Sequence, residues 1–260
     1  MRSTPTLKPE RLSAGASGSV LVIDFQPLST GPRLGQLLAD AGLDLTVHQL
    51  DPARELSGDG YLSLDELAEG YADAFLRADP APVTTVLGYC SAAALALRIA
   101  DRLATGRAVS TMLLRPTWPD ANLIGSLLAG VRAELGSATL PAPDVGGDPR
   151  AALGGLERQL HAELRALADA HSLDPASRPL VELLERYRGW FGYLLAAQDG
   201  LRTRWPARPE LNLQVYTDAA DSAAVPWTEA GDYGCRLLDL PADEAAATGR
   251  LAQAVLEHLG

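Results

Sequence analysis

Four apolar runs alternate with three helical spacings in the first 115 residues, and this alternation constrains the fold more than any other feature. Ser19–Phe25 (SVLVIDF) is apolar almost without a break, the pattern of a strand buried on both faces of a parallel sheet. Leu43–Leu50 (LDLTVHQL) is a second strand, a third ends at Tyr89, and Val109–Leu114 is a fourth. Between them, Leu34, Leu37 and Leu38 share one face of a helix over Arg33–Ala41. Ser63 with Glu66 forms a capping box for a helix over Leu64–Arg77, and a third helix runs from Ser91 to about Leu103. Strands and helices in this alternation predict a doubly wound α/β fold, a mostly parallel sheet flanked by helices.

The alternation stops between Asp120 and about Gly200. Helical stretches near Leu123–Leu135, Leu153–Ala170 and Leu180–Ala197 follow one another there, which predicts a helical lid inserted at about 120–200. Strands resume at Leu211–Thr217 and Cys235–Leu240, and a last helix spans roughly Ala245–Leu259. The 260 residues suit a single domain over 19–260, preceded by a polar, poorly ordered leader over 1–18. That leader lacks the apolar core of a signal peptide, and no run approaches the length of a membrane span. A cytoplasmic chain away from membranes is therefore expected. Cys90 and Cys235 are expected to be free thiols in a reducing compartment. The formal charge of −11 argues against nucleic acid or an anionic membrane as partner. No metal-ligand spacing, Walker loop or dinucleotide fingerprint occurs, so neither metal nor cofactor is expected.

The third strand runs into a turn of small residues, Gly88-Tyr89-Cys90-Ser91-Ala92, and then at once into an apolar helix. Strand, sharp turn and helix are the parts of a nucleophile elbow: the turn lifts one side chain to the top of the sheet, and the first N–H groups of the helix face a developing oxyanion. The side chain lifted is Cys90. The helix N-terminus behind it favours a thiolate. A small apolar residue filling a tight turn is the alternative reading of Cys90.

On this elbow, and on the order of the elements around it (QLDPARE after the second strand, SLDELAEGYADAF, a helical lid, two closing strands), the chain resembles the α/β-hydrolase thioesterases of polyketide and nonribosomal-peptide biosynthesis, particularly the free-standing type II kind. The usual elbow of that family is G-x-S-x-G, so Cys90 and Ala92 both depart from it. The resemblance implies Cys90 as nucleophile, oxyanion donors from the backbone of Gln26 and Ser91, and an acid after the sixth strand, for which Asp218 and Asp221 are the candidates. It also implies a histidine after the last strand. Glu244 stands there instead. Of the four histidines, His48 reads as a packed strand residue, His161 as solvent-facing and His258 as a helix-end residue, while His171 lies in a lid loop.

Serine without a base would be almost inert, whereas a thiol is nucleophilic at neutral pH without one. Glu244 is expected to act as the base only if burial keeps its proton near neutral pH. A carboxylate beside the thiol suits acyl capture and transfer better than fast hydrolysis. By the same resemblance, Leu127, Trp190, Phe191 and Leu194 of the lid line an acyl pocket, and the substrate arrives on the phosphopantetheine of an acyl or peptidyl carrier protein. Six arginines between Arg178 and Arg208, against Glu182, Glu185 and Asp199, make a basic stretch in an acidic chain. Arg186, Arg188, Arg202 and Arg204 within it are the expected docking face for an acidic carrier. Three readings stay open: a thioesterase or acyltransferase using Cys90, a catalytically silent binding scaffold, and a cyclase using the same pocket.

Overall fold

The sheet is built from strands β1 (Glu10–Arg11), β2 (Ser19–Ile23), β3 (Thr46–Leu50), β4 (Val83–Tyr89), β5 (Val109–Leu114), β6 (Leu211–Asp218) and β7 (Gly234–Leu238), in the order β1-β3-β2-β4-β5-β6-β7. These come from a computed structural model that describes residues 7–24, 32–56, 61–78, 83–104, 109–135, 144–202, 211–218 and 234–259. Every neighbouring pair is parallel except β1 with β3. Parallel strands covered on both faces must be apolar on both, which is why β2 is buried at all five positions.

Helices α1 (Leu34–Asp40), α3 (Leu64–Ala78), α4 (Ala93–Leu103) and α8 (Glu244–Leu259) pack against the sheet. On one face, Val20, Val22, Leu87, Met112 and Leu114 join Leu34 and Leu38 of α1 and Ala247, Leu251 and Val255 of α8 in one apolar cluster. Each fully buried Leu, Ile or Val there contributes about 1.5–3 kcal/mol of transfer free energy. On the other face His48 of β3 is buried and meets Phe75 of α3 edge-on, at 5.0 Å between ring centroids.

The chain divides into two compact units. One is this sheet with its helices, drawn from the described parts of Thr6–Asp51, Leu64–Trp118 and Thr203–Gly260. The other, from Pro52–Ser63 and Pro119–Arg202, is helical: α2 (Pro52–Glu55), α5 (Ala121–Glu134), α6 (Pro149–Ala170) and α7 (Arg178–Leu201). Asp120 and Asp148 cap α5 and α6 through their side chains, and Pro149 fits the first turn of α6 because no N–H is needed there. Inside this unit the Arg132 Nε donates to Glu163 Oε1 at 2.7 Å, and Glu163 is 1% exposed. No helix among the described residues is long and apolar enough to cross a membrane.

The leader is a correction. From Leu7 to Gly18 it is tied down, not loose: Glu10 and Arg11 pair with Gln49 and His48, the Leu12 N–H donates to the Val47 carbonyl at 2.8 Å, and Asp44 accepts from Ala16 N and Ser17 Oγ. A polar composition conceals this, because an edge strand needs backbone partners more than apolar side chains.

Candidate active site

Strand β4 leaves Tyr89 extended, and the next residue turns sharply, with Cys90 at φ 54. A residue with a Cβ rarely holds that left-handed conformation, at a cost of about 1–2 kcal/mol. One 3₁₀ turn, Cys90–Ala92, leads straight into α4. Small residues make the turn possible: a Cβ on Gly88 would stand 2.6 Å from Ala96 Cβ and 3.0 Å from Ala93 Cα. Ala92, Ala93, Ala94 and Ala96 are all at 0% exposure, whereas Cys90 is exposed. Ser91 is buried in the turn, and the residue preceding α4, Ala92, has no side-chain cap hydrogen bond.

The Cys90 thiol donates to Thr117 Oγ1 at 3.4 Å. Thr117 lies just beyond β5, half-buried, and its own N–H donates to the Cys90 carbonyl at 3.2 Å. Nothing in the sequence pairs these residues, which are 27 positions apart.

A second group missed by sequence reading sits at the end of β2. Asp24 is at 0% exposure; its Oδ2 accepts from the Leu34 N–H at 2.7 Å, and its Oδ1 has no hydrogen-bond partner among the described residues. Burial pushes this carboxyl up to about 6, the Leu34 N–H and Arg33 oppose the rise, and Asp51 and Glu244 reinforce it. Arg33 is itself engaged by Asp51 at 3.0 Å. Ile23, the preceding residue, pairs with Gly88, so Asp24 lies at the elbow end of the sheet.

Glu244 opens α8 and is exposed, so it lacks the burial that a base in place of histidine requires. Its carbonyl accepts from Thr248 Oγ1 at 2.8 Å, and the Thr248 side chain in turn meets the phenol of Tyr89. Burial holds that phenol above its usual range. The acceptor of the thiol's hydrogen bond is Thr117 Oγ1, not Glu244. Asp218 closes β6 opposite Leu238. His161, His171 and His258 are exposed. Gln26, Asp221 and Arg204 lie outside the described residues.

In the helical unit, Phe191 and Leu194 are fully buried and serve its packing, while Leu127 and Trp190 are half-buried. Arg188 is a second correction. It pairs with Glu157 and donates to the Leu56 carbonyl at 3.2 Å, with its side chain 12% exposed, so it ties α7 to α6 and to the end of α2 rather than facing a partner. Arg186 and Arg202 are exposed, Arg202 donating to the Gly146 carbonyl at 2.8 Å. A cavity of about 430 Å³ bordered by Asp65, Glu69, Asp73, Arg98, Asp101 and Arg102 opens at the end of α4 remote from Cys90.

No family model matches the sequence, and no curated protein matches it. Solved structures do. A holo four-domain nonribosomal peptide synthetase bound to AMP and glycine matches with a TM-score of 0.58 at 16% identity, over 96% of this chain and 20% of that one. The NocB thioesterase domain, in covalent complex with a fluorophosphonate nocardicin G analogue, matches at 0.54 and 19% identity, over 95% and 96%. An alpha/beta hydrolase family protein from Desulfitobacterium hafniense matches at 0.56 and 13% identity, over 97% and 100%. At such identities the likeness lies in the fold: the chain has the α/β-hydrolase architecture that thioesterase domains share.

Proposed function

We propose that the chain is a thioesterase-like enzyme that takes acyl or aminoacyl groups from carrier-bound thioesters onto Cys90, in natural-product biosynthesis. The observation that carries this reading is the exposed Cys90 at φ 54 between β4 and α4, in a fold shared with thioesterase domains. The Cys90 thiolate forms a bond to the thioester carbonyl carbon, the bond to the carrier thiol breaks, and that thiolate takes a proton from solvent. Backbone N–H groups of Ser91 and Gln26 are the proposed oxyanion donors. The substrate comes on the phosphopantetheine of an acidic acyl or peptidyl carrier, for which the exposed Arg186 and Arg202 remain the docking candidates.

With Glu244 exposed and no histidine at the end of the last strand, release to water lacks an evident base among the described residues, which favours transfer over hydrolysis. The acyl-cysteine should therefore accumulate. Incubation with acyl-loaded carrier or a small acyl thioester, followed by intact mass, should show one acyl addition that maps to Cys90, is absent from Cys90→Ala and persists in Ser91→Ala. No adduct with any thioester would favour the second reading, a silent binding scaffold, to which the exposed Glu244 lends weight.

A further inference from the structure

The nucleophile of an elbow normally has a base to orient it and to stabilise its charged form. Here the thiol is met by a hydroxyl. Thr117 touches Cys90 twice, through its N–H to the Cys90 carbonyl at 3.2 Å and through Oγ1, which accepts from the thiol at 3.4 Å. The proton of that hydroxyl faces the Arg115 carbonyl at 3.5 Å, a long and weak bond. The segment carrying it is fixed: Arg115 is at φ 45, and its N–H donates to the Tyr216 carbonyl on β6 at 2.7 Å. The hydroxyl thus has a fixed oxygen and a loosely held proton.

Resting on the reading of Cys90 as nucleophile, we propose that Thr117 is its positioning residue: the Thr117 hydroxyl accepts from the thiol at rest and turns to donate to the thiolate when it forms. The thiol proton leaves to solvent, Thr117 keeps its own proton, and only the O–H rotates. The bond released, to the Arg115 carbonyl, is weak, so the exchange costs little. What is gained is a hydrogen bond to a charged acceptor, the stronger kind. The backbone bond to the Cys90 carbonyl holds the oxygen at the sulfur throughout. Thr117 in this way supplies the stabilising hydrogen bond, though not the proton acceptance, that a histidine would provide.

The test uses the full chain carrying Cys235→Ser, so that Cys90 is the thiol that reacts. Alkylation by iodoacetamide, in which the thiolate displaces iodide, is followed by intact mass across pH. Thr117→Val keeps the shape and the backbone N–H and removes the hydroxyl. It should move the midpoint of the pH profile up by about one unit and slow alkylation at neutral pH by up to about tenfold. Thr117→Ser should restore both. Circular dichroism and melting report whether the variants are folded, and Thr117→Ala replaces the valine variant if that fails to fold. An unshifted profile in a folded hydroxyl-less variant overturns the proposal, and so does a serine variant that behaves like valine. Failure of the enzyme reading looks different: the parent protein would take no acyl group from any thioester, while Thr117→Val would still shift alkylation. Acyl loading with an unshifted profile would remove Thr117 and leave the enzyme.

Discussion

Asp24 is held at a cost. Its carboxyl is buried with one oxygen unmet among the described residues, and it titrates at about 6 against an ordinary 3.8. Because the folded-state value is the higher one, the stabilising contribution of its proton is fully present below 3.8 and is lost as pH rises through about 6. The shift corresponds to about 3 kcal/mol by the usual conversion. Asp24→Asn cannot ionise, so its melting temperature should gain on the parent's progressively from acid to neutral pH. A difference between the two that stays flat across that window would remove the burial argument. Asp24 and Thr117 were both illegible in the sequence for physical reasons. Asp24 falls at the end of SVLVIDF, where strand pattern dominates the reading, and its strain depends on which groups surround it. Thr117 matters through a contact spanning 27 positions, which no local pattern encodes. The turn at Cys90 was legible because its signal is local: an apolar strand, small turn residues and an apolar helix in immediate succession.

Strand β4 and helix α4 act together, and Gly88 is where they touch. A Cβ there would stand 2.6 Å from Ala96 Cβ, closer than side chains tolerate, and both elements are held by neighbours. Gly88→Ala should therefore cost about 1–3 kcal/mol, the range for overpacking a filled interior. Because the shortest of these contacts is with the Ala96 Cβ, Gly88→Ala with Ala96→Gly should recover part of the loss, less the cost of a glycine inside a helix, about 1 kcal/mol. Denaturant melts of the two single variants and the double variant check this; strictly additive losses would place the strain elsewhere. The elements on either side show which ones a sequence discloses. The long parallel strands and amphipathic helices announce themselves because burial fixes their periodicity. The four-residue α2 reads only as the stretch after the second strand, and Arg188 on α7 reads as part of a docking face until Glu157 and the Leu56 carbonyl are brought to it.

The assembled sheet has two edges, and β1 covers the one at β3. Without it, β3 would present unpaired N–H and C=O groups at the margin of an apolar sheet, a template for pairing with another chain. Two residues suffice because the segment continues to bind beyond them: Ser13 Oγ donates to the Leu45 carbonyl at 3.0 Å and accepts from the Val47 N–H at 3.1 Å, and Gly15 N–H donates to Thr46 Oγ1 at 3.1 Å. Leu7 anchors the near end over Gly70, where a Cβ would meet Leu7 Cδ1 at 2.4 Å. The order of the other strands follows from parallel crossovers around apolar runs, but a strand reading Glu-Arg carries no such signature. Removing residues 1–13 should therefore do more than trim a tail. It should lower the melting temperature by several degrees, since a few hydrogen bonds at about 1 kcal/mol each are lost. It should also promote concentration-dependent self-association, visible by light scattering, as bare β3 edges find one another. Glu10→Pro with Leu12→Pro should reproduce both effects in the full-length chain, because proline at position 12 removes the N–H that donates to Val47. A truncated protein that melts like the parent and stays dispersed at high concentration would show that β1 is ornamental and that the β3 edge is protected by other means.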